Sequence, residues 1–310
     1  MNTVHDAVNE YVAMRRALGY QMKDAEAALV AFASFLEERR APYITSKLAV
    51  EWAQLATKAR PAEWARRLCF VRGFARYRSA MDSRTEVPPW GLLPHHSGRA
   101  KPYLYTDEEI RRLLNAALRL EPADGLRPWT YHCLFGLLAV TGLRISEAMS
   151  LRLQDVDLQE GVLTVHHTKF GKSRLVPIHA STQQILAQYA LRRDELLGRL
   201  TPRNFLVSDH GRVLKGSTVR HTFNKLSRQI GLRGPSDHHG PRLHDFRHRF
   251  ALATLVSWYR CGQDVEQRLP ILSTYLGHAH VTDTYWYLSL CPELMGLATA
   301  RLERRWEGQL

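Results

Sequence analysis

Four segments of the chain carry side chains suited to gripping an anion and attacking it. In TGLRISEAMSL (141–151), Arg144 follows a Thr-Gly break and opens a helix, with Glu147 three residues on. GVLTVHHTKFGKSRLVPI (161–178) places Lys169 and Lys172 between two β-prone runs. In LHDFRHRFA (243–251), His244 and Arg247 are three apart and share a helical face. LGHAHVTDTYWYLSL (276–290) holds His278, with Tyr285 and Tyr287 behind it. Two guanidiniums can clamp the non-bridging oxygens of a phosphoryl group, and imidazole can exchange a proton near neutral pH. An ammonium can protonate a leaving oxygen, and a phenol oxygen can form a covalent ester. Taken singly, each residue has a plainer reading: an ion-pair partner, a core histidine or a packing aromatic.

The composition narrows the substrate. Lys and Arg number 43 against 30 Asp and Glu, a net +13 in 310 residues, which favours a polyanionic partner over a bland basic surface. At 45% hydrophobic and 24% charged residues the chain is of the ordinary globular class. With no apolar run of membrane length and no secretory pattern at MNTVHDAVNEYV, the expectation is a cytoplasmic protein. The four cysteines form no C-x-x-C pair and read as reduced thiols. A metallohydrolase is the competing reading, on His244 and His248 at i, i+4, with His238, His239, His278 and His280 as further candidate ligands. The zincin pattern needs Glu after its first His, where Asp245 stands, and a metal leaves Arg144, Lys169 and Tyr287 without a role. No cofactor or metal site is expected.

The elements that must position these residues fall into two domains. Residues 1–86 read as helices: Leu29, Phe32, Ala33 and Leu36 form one buried stripe, and Pro61 suits a first helical turn. Between 58 and 84, eight basic residues stand against Glu63 and Asp82, so Arg66, Arg67, Arg72 and Arg76 are expected to face phosphates. Residues 87–102, with four prolines and two glycines, read as a linker. The second domain, 103–310, opens on a Thr106/Glu109 capping box. It reads as mainly helical with a small β-hairpin insertion at 162–178, an α+β domain. On the helix at 217–230, Val219, Phe223, Leu226 and Ile230 form one face. His221, Asn224, Lys225 and Arg228 form the other, either a plain solvated face or one that reads base edges.

Taken together, the four segments resemble the tyrosine recombinases, the phage-integrase and Xer-type enzymes. The family pattern is met by Thr141-Gly142-Leu143-Arg144-Ile145-Ser146-Glu147, Lys169, His244/Arg247, Leu276-Gly277-His278 and Tyr287, in that order. The resemblance covers the whole second domain and, more loosely, gives the first the look of the family's core-binding domain. It implies Tyr287 as nucleophile, Arg144 and Arg247 as phosphate clamps, and His278 as a donor tuned near neutral pH. It further implies Lys169 as general acid, His244 as hydrogen-bonding or general-base partner and Glu147 as support. The spacing K-x-x-K-x-R-L-V-P favours Lys169 over Lys172, which is left to DNA binding. The nine-residue offset from His278 favours Tyr287 over Tyr285. One departure is the 31 residues from Arg247 to His278, longer than the Xer-type pattern and suggestive of a mobile-element branch.

The implied function is site-specific cleavage and rejoining of DNA through a 3′-phosphotyrosyl intermediate, without ATP or metal, for integration, excision or transposition. Alternatives are chromosome or plasmid dimer resolution, a non-catalytic DNA-binding protein and a type IB topoisomerase. The implied partners are duplex DNA with a specific site and three further copies, a tetramer on two duplexes, acting at the nucleoid. Met295, Ala298, Leu302 and Trp306 recur at helical spacing, and this terminal helix is expected to dock on a neighbouring protomer.

Overall fold

The computed structural model describes residues 3–57, 59–94, 101–166, 173–237, 240–289 and 292–307. The chain divides into two units, Met1–Ala100 and Lys101–Leu310.

The first unit is four helices: α1 (Val4–Ala17), α2 (Lys23–Glu38), α3 (Ser46–Gln54) and α4 (Pro61–Ser79). Thr3 and Asp6 form a capping box at α1, and the Thr45 side chain accepts from the Leu48 N–H at the start of α3. These contacts satisfy donors that a helix start leaves without partners. Leu29, Phe32, Ala33 and Leu36 lie in the core with Val8, Trp52, Leu68, Val71 and Phe74. Each large apolar side chain so buried contributes about 1.5–3 kcal/mol.

The basic face of α4 is divided. Arg76 is exposed, and Arg66 is exposed but paired with Glu63 at 2.9 Å and Asp24 at 3.0 Å. Arg67 lies over the Trp52 ring at 4.1 Å and donates to the Trp52 carbonyl. Arg72 differs from the phosphate-facing place expected for it. It is 6% exposed, and it donates to the Pro88 and Pro89 carbonyls at 2.7 and 2.9 Å beneath the Trp90 ring. The start of the proline-rich stretch is therefore held against the first unit, with Leu93 in the core.

The second unit comprises α5 (Asp107–Ala117), α6 (Arg127–Thr141), α7 (Ile145–Ser150), a 3₁₀ turn (Leu153–Asp155), β1 (Val156–Asp157), β2 (Val162–Val165), β3 (Arg174–Pro177) and α8 (Ala180–Leu197). It continues with α9 (Gly216–Gln229), α10 (Asp245–Arg260), α11 (Val265–Leu276), α12 (Thr282–Tyr285), a second 3₁₀ turn (Trp286–Ser289) and α13 (Pro292–Glu307). The unit is mainly helical with a small antiparallel sheet ordered β1-β2-β3, as the sequence indicates, with β1 as a short addition to the expected hairpin. The β2–β3 register ends at Val165↔Arg174. At the centre runs α6, buried along most of its length through Leu134, Phe135, Leu137 and Leu138, and packed by α5, α8 and α10. A smaller core joins Leu255 of α10 and Leu272 and Leu276 of α11 to Tyr287 and Leu294.

Within the chain α13 packs against α10. Leu294 enters the smaller core, Glu293 pairs with Arg260, and Arg301 donates to the Gln263 carbonyl at 2.7 Å. Met295 and Leu302 of the stripe noted above point outward, and the Trp306 side chain lies outside the described residues. Among the described residues no helix is long and apolar enough to cross a membrane.

Candidate active site

The site is built where two glycine-ended helices meet. α6 stops at Gly142, in the left-handed region at φ +62°, where a Cβ would come within 2.7 Å of Phe250 Cδ1. Only glycine takes that conformation without strain, so the Thr-Gly pair turns the chain sharply into Arg144. α11 ends the same way at Gly277, φ +68°, and delivers His278. The Leu276 and Gly277 carbonyls at this end become the seats of the two expected clamp arginines.

Arg247, near the start of α10, is 2% exposed and donates to the Gly142 carbonyl at 2.9 Å and the Leu276 carbonyl at 2.6 Å. Burial, then the neighbouring Arg144 charge, lowers its pKa to about 10, so it stays cationic at neutral pH. Arg144 is partly exposed. Its Nη1 donates to Glu147 Oε1 at 2.7 Å and its Nη2 to the Gly277 carbonyl at 3.1 Å. Each guanidinium has five N–H donors, and these bonds occupy only some of them. Burial pushes the Glu147 carboxyl up, but hydrogen bonds from Arg174 and Arg144 outweigh it and hold the group below its ordinary value.

Both imidazoles of the expected set are shifted away from their charged form. His278 is drawn down to about 4 by burial and by Arg247 and Arg144, and its Nδ1 is hydrogen-bonded with Thr284 Oγ1 at 2.7 Å. That is lower than the near-neutral tuning expected, because burial disfavours the charged ring and two cations face it. His244, just before α10, is also lowered, by burial and then by Arg247. Its ring meets His248 edge-on at 4.7 Å between centroids.

The two tyrosines separate cleanly. Tyr285 is 53% exposed, whereas Tyr287, in the 3₁₀ turn, is 2% exposed. The Tyr287 ring stacks on His278 at 6.1 Å and 18° and meets His248 at 5.6 Å. Arg144, Arg247, His244, His278, Glu147 and Tyr287 are thus gathered in one place. Lys169 and Lys172 lie outside the described residues. On α9, His221, Lys225 and Arg228 are exposed and Asn224 is half-buried, together on the face away from the core. Among the described residues no group of three or more His, Cys, Asp or Glu could hold a metal.

Two further members of this neighbourhood are not among the expected site residues. His248 packs under Tyr287 with its Nδ1 buried and without a hydrogen bond. Arg174, the arginine of the K-x-x-K-x-R stretch, donates to Glu147 and to the Tyr275 carbonyl. Its signal is its place as the arginine of K-x-x-K-x-R-L-V-P.

Comparison with known proteins bears on this arrangement. The profile of the phage integrase family matches residues 104–293. The inferred integrase/recombinase y4rB of Sinorhizobium fredii is 55% identical over 311 residues, covering 99% of this chain and 99% of its own. The tyrosine recombinase XerD of Mycobacterium tuberculosis is 31% identical over 226 residues, covering 72% of this chain and 68% of its own. Among solved structures, the Tn1549 transposon integrase in complex with transposon right end DNA superposes with a TM-score of 0.68 at 16% identity, over 96% of this chain and 98% of that one. At that identity the likeness speaks for the fold.

Proposed function

Because the chain belongs to the phage integrase family and is a tyrosine recombinase, we propose that it cuts one strand of a specific DNA site with Tyr287 and later rejoins it to a new partner. The observation that carries this is the stacking of Tyr287 on His278 beside two guanidiniums fixed on backbone carbonyls. The Tyr287 oxygen attacks the scissile phosphorus, the bond to the 5′-oxygen breaks, and a 3′-phosphotyrosine holds the ester energy. Arg144 and Arg247 offer their remaining donors to the non-bridging oxygens as charge builds. His244, its charged form disfavoured by burial, accepts the phenolic proton. Lys169 gives a proton to the leaving oxygen. When Thr284 donates to His278 Nδ1, the other ring nitrogen carries hydrogen and faces the phosphate as a donor.

The substrate is duplex DNA, with Arg76, Lys172 and the His221, Asn224, Lys225 and Arg228 face as backbone or base contacts. Arg66 and Arg67 join them by exchanging their present partners for phosphates. The working assembly is a tetramer on two duplexes. The outward Met295 and Leu302 of α13 suit a contact between protomers. The whole-length likeness to an integrase/recombinase favours integration, excision or transposition of a mobile element. The XerD likeness keeps dimer resolution as the second reading. The protein acts in the cytoplasm, at the nucleoid.

Covalent trapping tests this. The protein is incubated, without metal, with nicked suicide substrates built from DNA flanking its own gene, and adducts are resolved on denaturing gels. The expected result is an adduct abolished in Tyr287→Phe and Arg144→Ala and retained in Tyr285→Phe. Loss in Tyr285→Phe instead moves the nucleophile by two residues. Sequencing the trapped DNA gives the site.

A further inference from the structure

Three consecutive carbonyls at the end of α11 each receive a different arginine. The Tyr275 carbonyl accepts from Arg174 Nε at 2.7 Å, Leu276 from Arg247 Nη2 at 2.6 Å and Gly277 from Arg144 Nη2 at 3.1 Å. The last carbonyls of a helix have no partner inside it and carry the negative end of its dipole. This end can therefore gather three cations that would otherwise repel one another. Two of them are the proposed phosphate clamp.

The third, Arg174, opens β3, and its side chain and that of Glu147 are each 7% exposed. Its Nη1 and Nη2 reach both oxygens of Glu147, at 3.1 and 2.8 Å. On the other side, Glu147 Oε1 takes Arg144 Nη1 at 2.7 Å and Oε2 takes the Arg144 backbone N–H at 2.9 Å. One carboxylate is thus pinned by Arg174 and in turn pins Arg144. Gly277 leaves room for this, since a Cβ there would stand 2.7 Å from Arg174 Nη1.

A buried ion pair is a poor device for stability alone, because desolvating the charges offsets most of their attraction. What it supplies here is direction. A planar guanidinium fork fixes a carboxylate in orientation as well as in place, which a single ammonium does not. We infer that Arg174 is a positioning residue for strand cleavage, acting through Glu147 to aim the Arg144 guanidinium at the scissile phosphate. It rests on the reading of Arg144 as a phosphate clamp, and Arg174 itself does not touch DNA.

The test uses the full-length protein and the nicked site recovered by trapping. The site is made once with an ordinary scissile phosphate and once with a methylphosphonate, in which a methyl group replaces one non-bridging oxygen and removes its charge. Single-turnover adduct formation is followed for wild type, Arg174→Gln, Arg174→Lys and Arg144→Ala, alongside DNA affinity and the thermal midpoint. Arg174→Gln should slow cleavage of the phosphate about 100-fold, the scale of one misaimed transition-state donor. DNA affinity should stay within about threefold, and Arg174→Lys should recover roughly tenfold of the lost rate. On the methylphosphonate, the Arg174→Gln defect should shrink to about threefold or less, in step with that of Arg144→Ala. An undiminished Arg174→Gln defect where Arg144→Ala is relieved overturns the inference. So does wild-type cleavage by Arg174→Gln, or a fall in affinity or midpoint in both Arg174 variants that accounts for their whole defect. If Arg144→Ala is not relieved by the methylphosphonate, the clamp reading fails and the inference falls with it. If wild type forms no adduct, the proposed chemistry fails first.

Discussion

The arginines of α4 and those around the end of α11 hold the same group in opposite ways. On α4, Arg66 stands in solvent with its charge shared between Asp24 and Glu63. Exposed pairs of this kind are worth about 0–1 kcal/mol, and a phosphate can replace either carboxylate at little cost. Around α11, Arg247 is enclosed and tied to two backbone carbonyls that cannot move without moving α6 and α11. The first arrangement leaves the guanidinium able to change partners. The second fixes a donor before substrate arrives, the condition under which electrostatic stabilisation of a transition state is largest.

That contrast is easiest to break at Arg247. Arg247→Ala should lower single-turnover cleavage by about 1,000-fold, the upper range for loss of a preorganised donor. It should also lower stability, because the Gly142 and Leu276 carbonyls lose a buried partner, each worth roughly 1–3 kcal/mol. Suicide-substrate cleavage and urea unfolding measure the two losses. A variant that stays fully stable would show that the carbonyl seat is not what holds the side chain.

Next in size is Gly277→Ala. It keeps every reacting group but forces an L-residue to φ +68° and drives a Cβ into the Arg174 guanidinium. A drop of about 1–2 kcal/mol in stability follows from the backbone conformation alone. We expect cleavage to fall about 10- to 100-fold as the arginines shift together, since small misplacements at a reacting centre act on that scale. Unchanged cleavage in Gly277→Ala would mean that the seat tolerates displacement and that direction matters less than charge.

The enclosed region should also respond to acid. His248 and His278 both have folded pKa values near 4, below the 6.5 of an unconstrained histidine, chiefly through burial. The unfolded chain therefore binds more protons between those values. Stability is fully present above about pH 6.5 and declines as pH falls towards 4, by up to roughly 1.4 kcal/mol per pH unit for each histidine. In His248→Gln, urea midpoints measured across pH 4–6.5 should follow a visibly shallower slope. An identical slope would place the acid sensitivity elsewhere.

What the sequence makes legible follows from the kind of constraint each residue answers. Arg144, His244, Arg247, His278 and Tyr287 announce themselves because few residue types can do what phosphoryl chemistry asks, and their order along the chain is distinctive. Gly142 and Gly277 are legible for a related reason: each marks a left-handed helix end. Arg174 stands in a recognisable stretch, but its partners are not legible, because Glu147 and the Tyr275 carbonyl lie 27 residues before it and 101 after it and meet it only in the fold. His248 is hidden by a like cause, since its partner ring at 287 arrives through tertiary packing. Arg72 is the instructive case. Net charge groups it with its basic neighbours, yet it shares the Leu68, Val71 and Ala75 face, and that periodicity places it inside. Helical phase outweighs net charge in deciding where an arginine goes.

That distinction within α4 gives the prediction with the smallest effect on chemistry. Arg76 is exposed and Arg72 is enclosed under Trp90 with the Pro88 and Pro89 carbonyls. If exposure decides which arginines reach phosphates, Arg76→Ala should weaken DNA binding a few-fold and reduce the slope of log affinity against log salt by about 1. Its cleavage rate at saturating DNA should match wild type, since it is not among the groups gathered at Tyr287. Arg72→Ala should leave the salt slope unchanged, because no released counterion is traced to a group that never meets the phosphate. It should instead lower the unfolding midpoint, as two carbonyls lose their donor and Trp90 loses the cation beneath it, each loss about 1 kcal/mol or more. Filter-binding titrations across a salt series, paired with thermal unfolding, separate the two variants. A salt slope that falls equally in both would mean that Arg72 swings out to the DNA, and the division between adaptable and fixed arginines would then no longer follow burial.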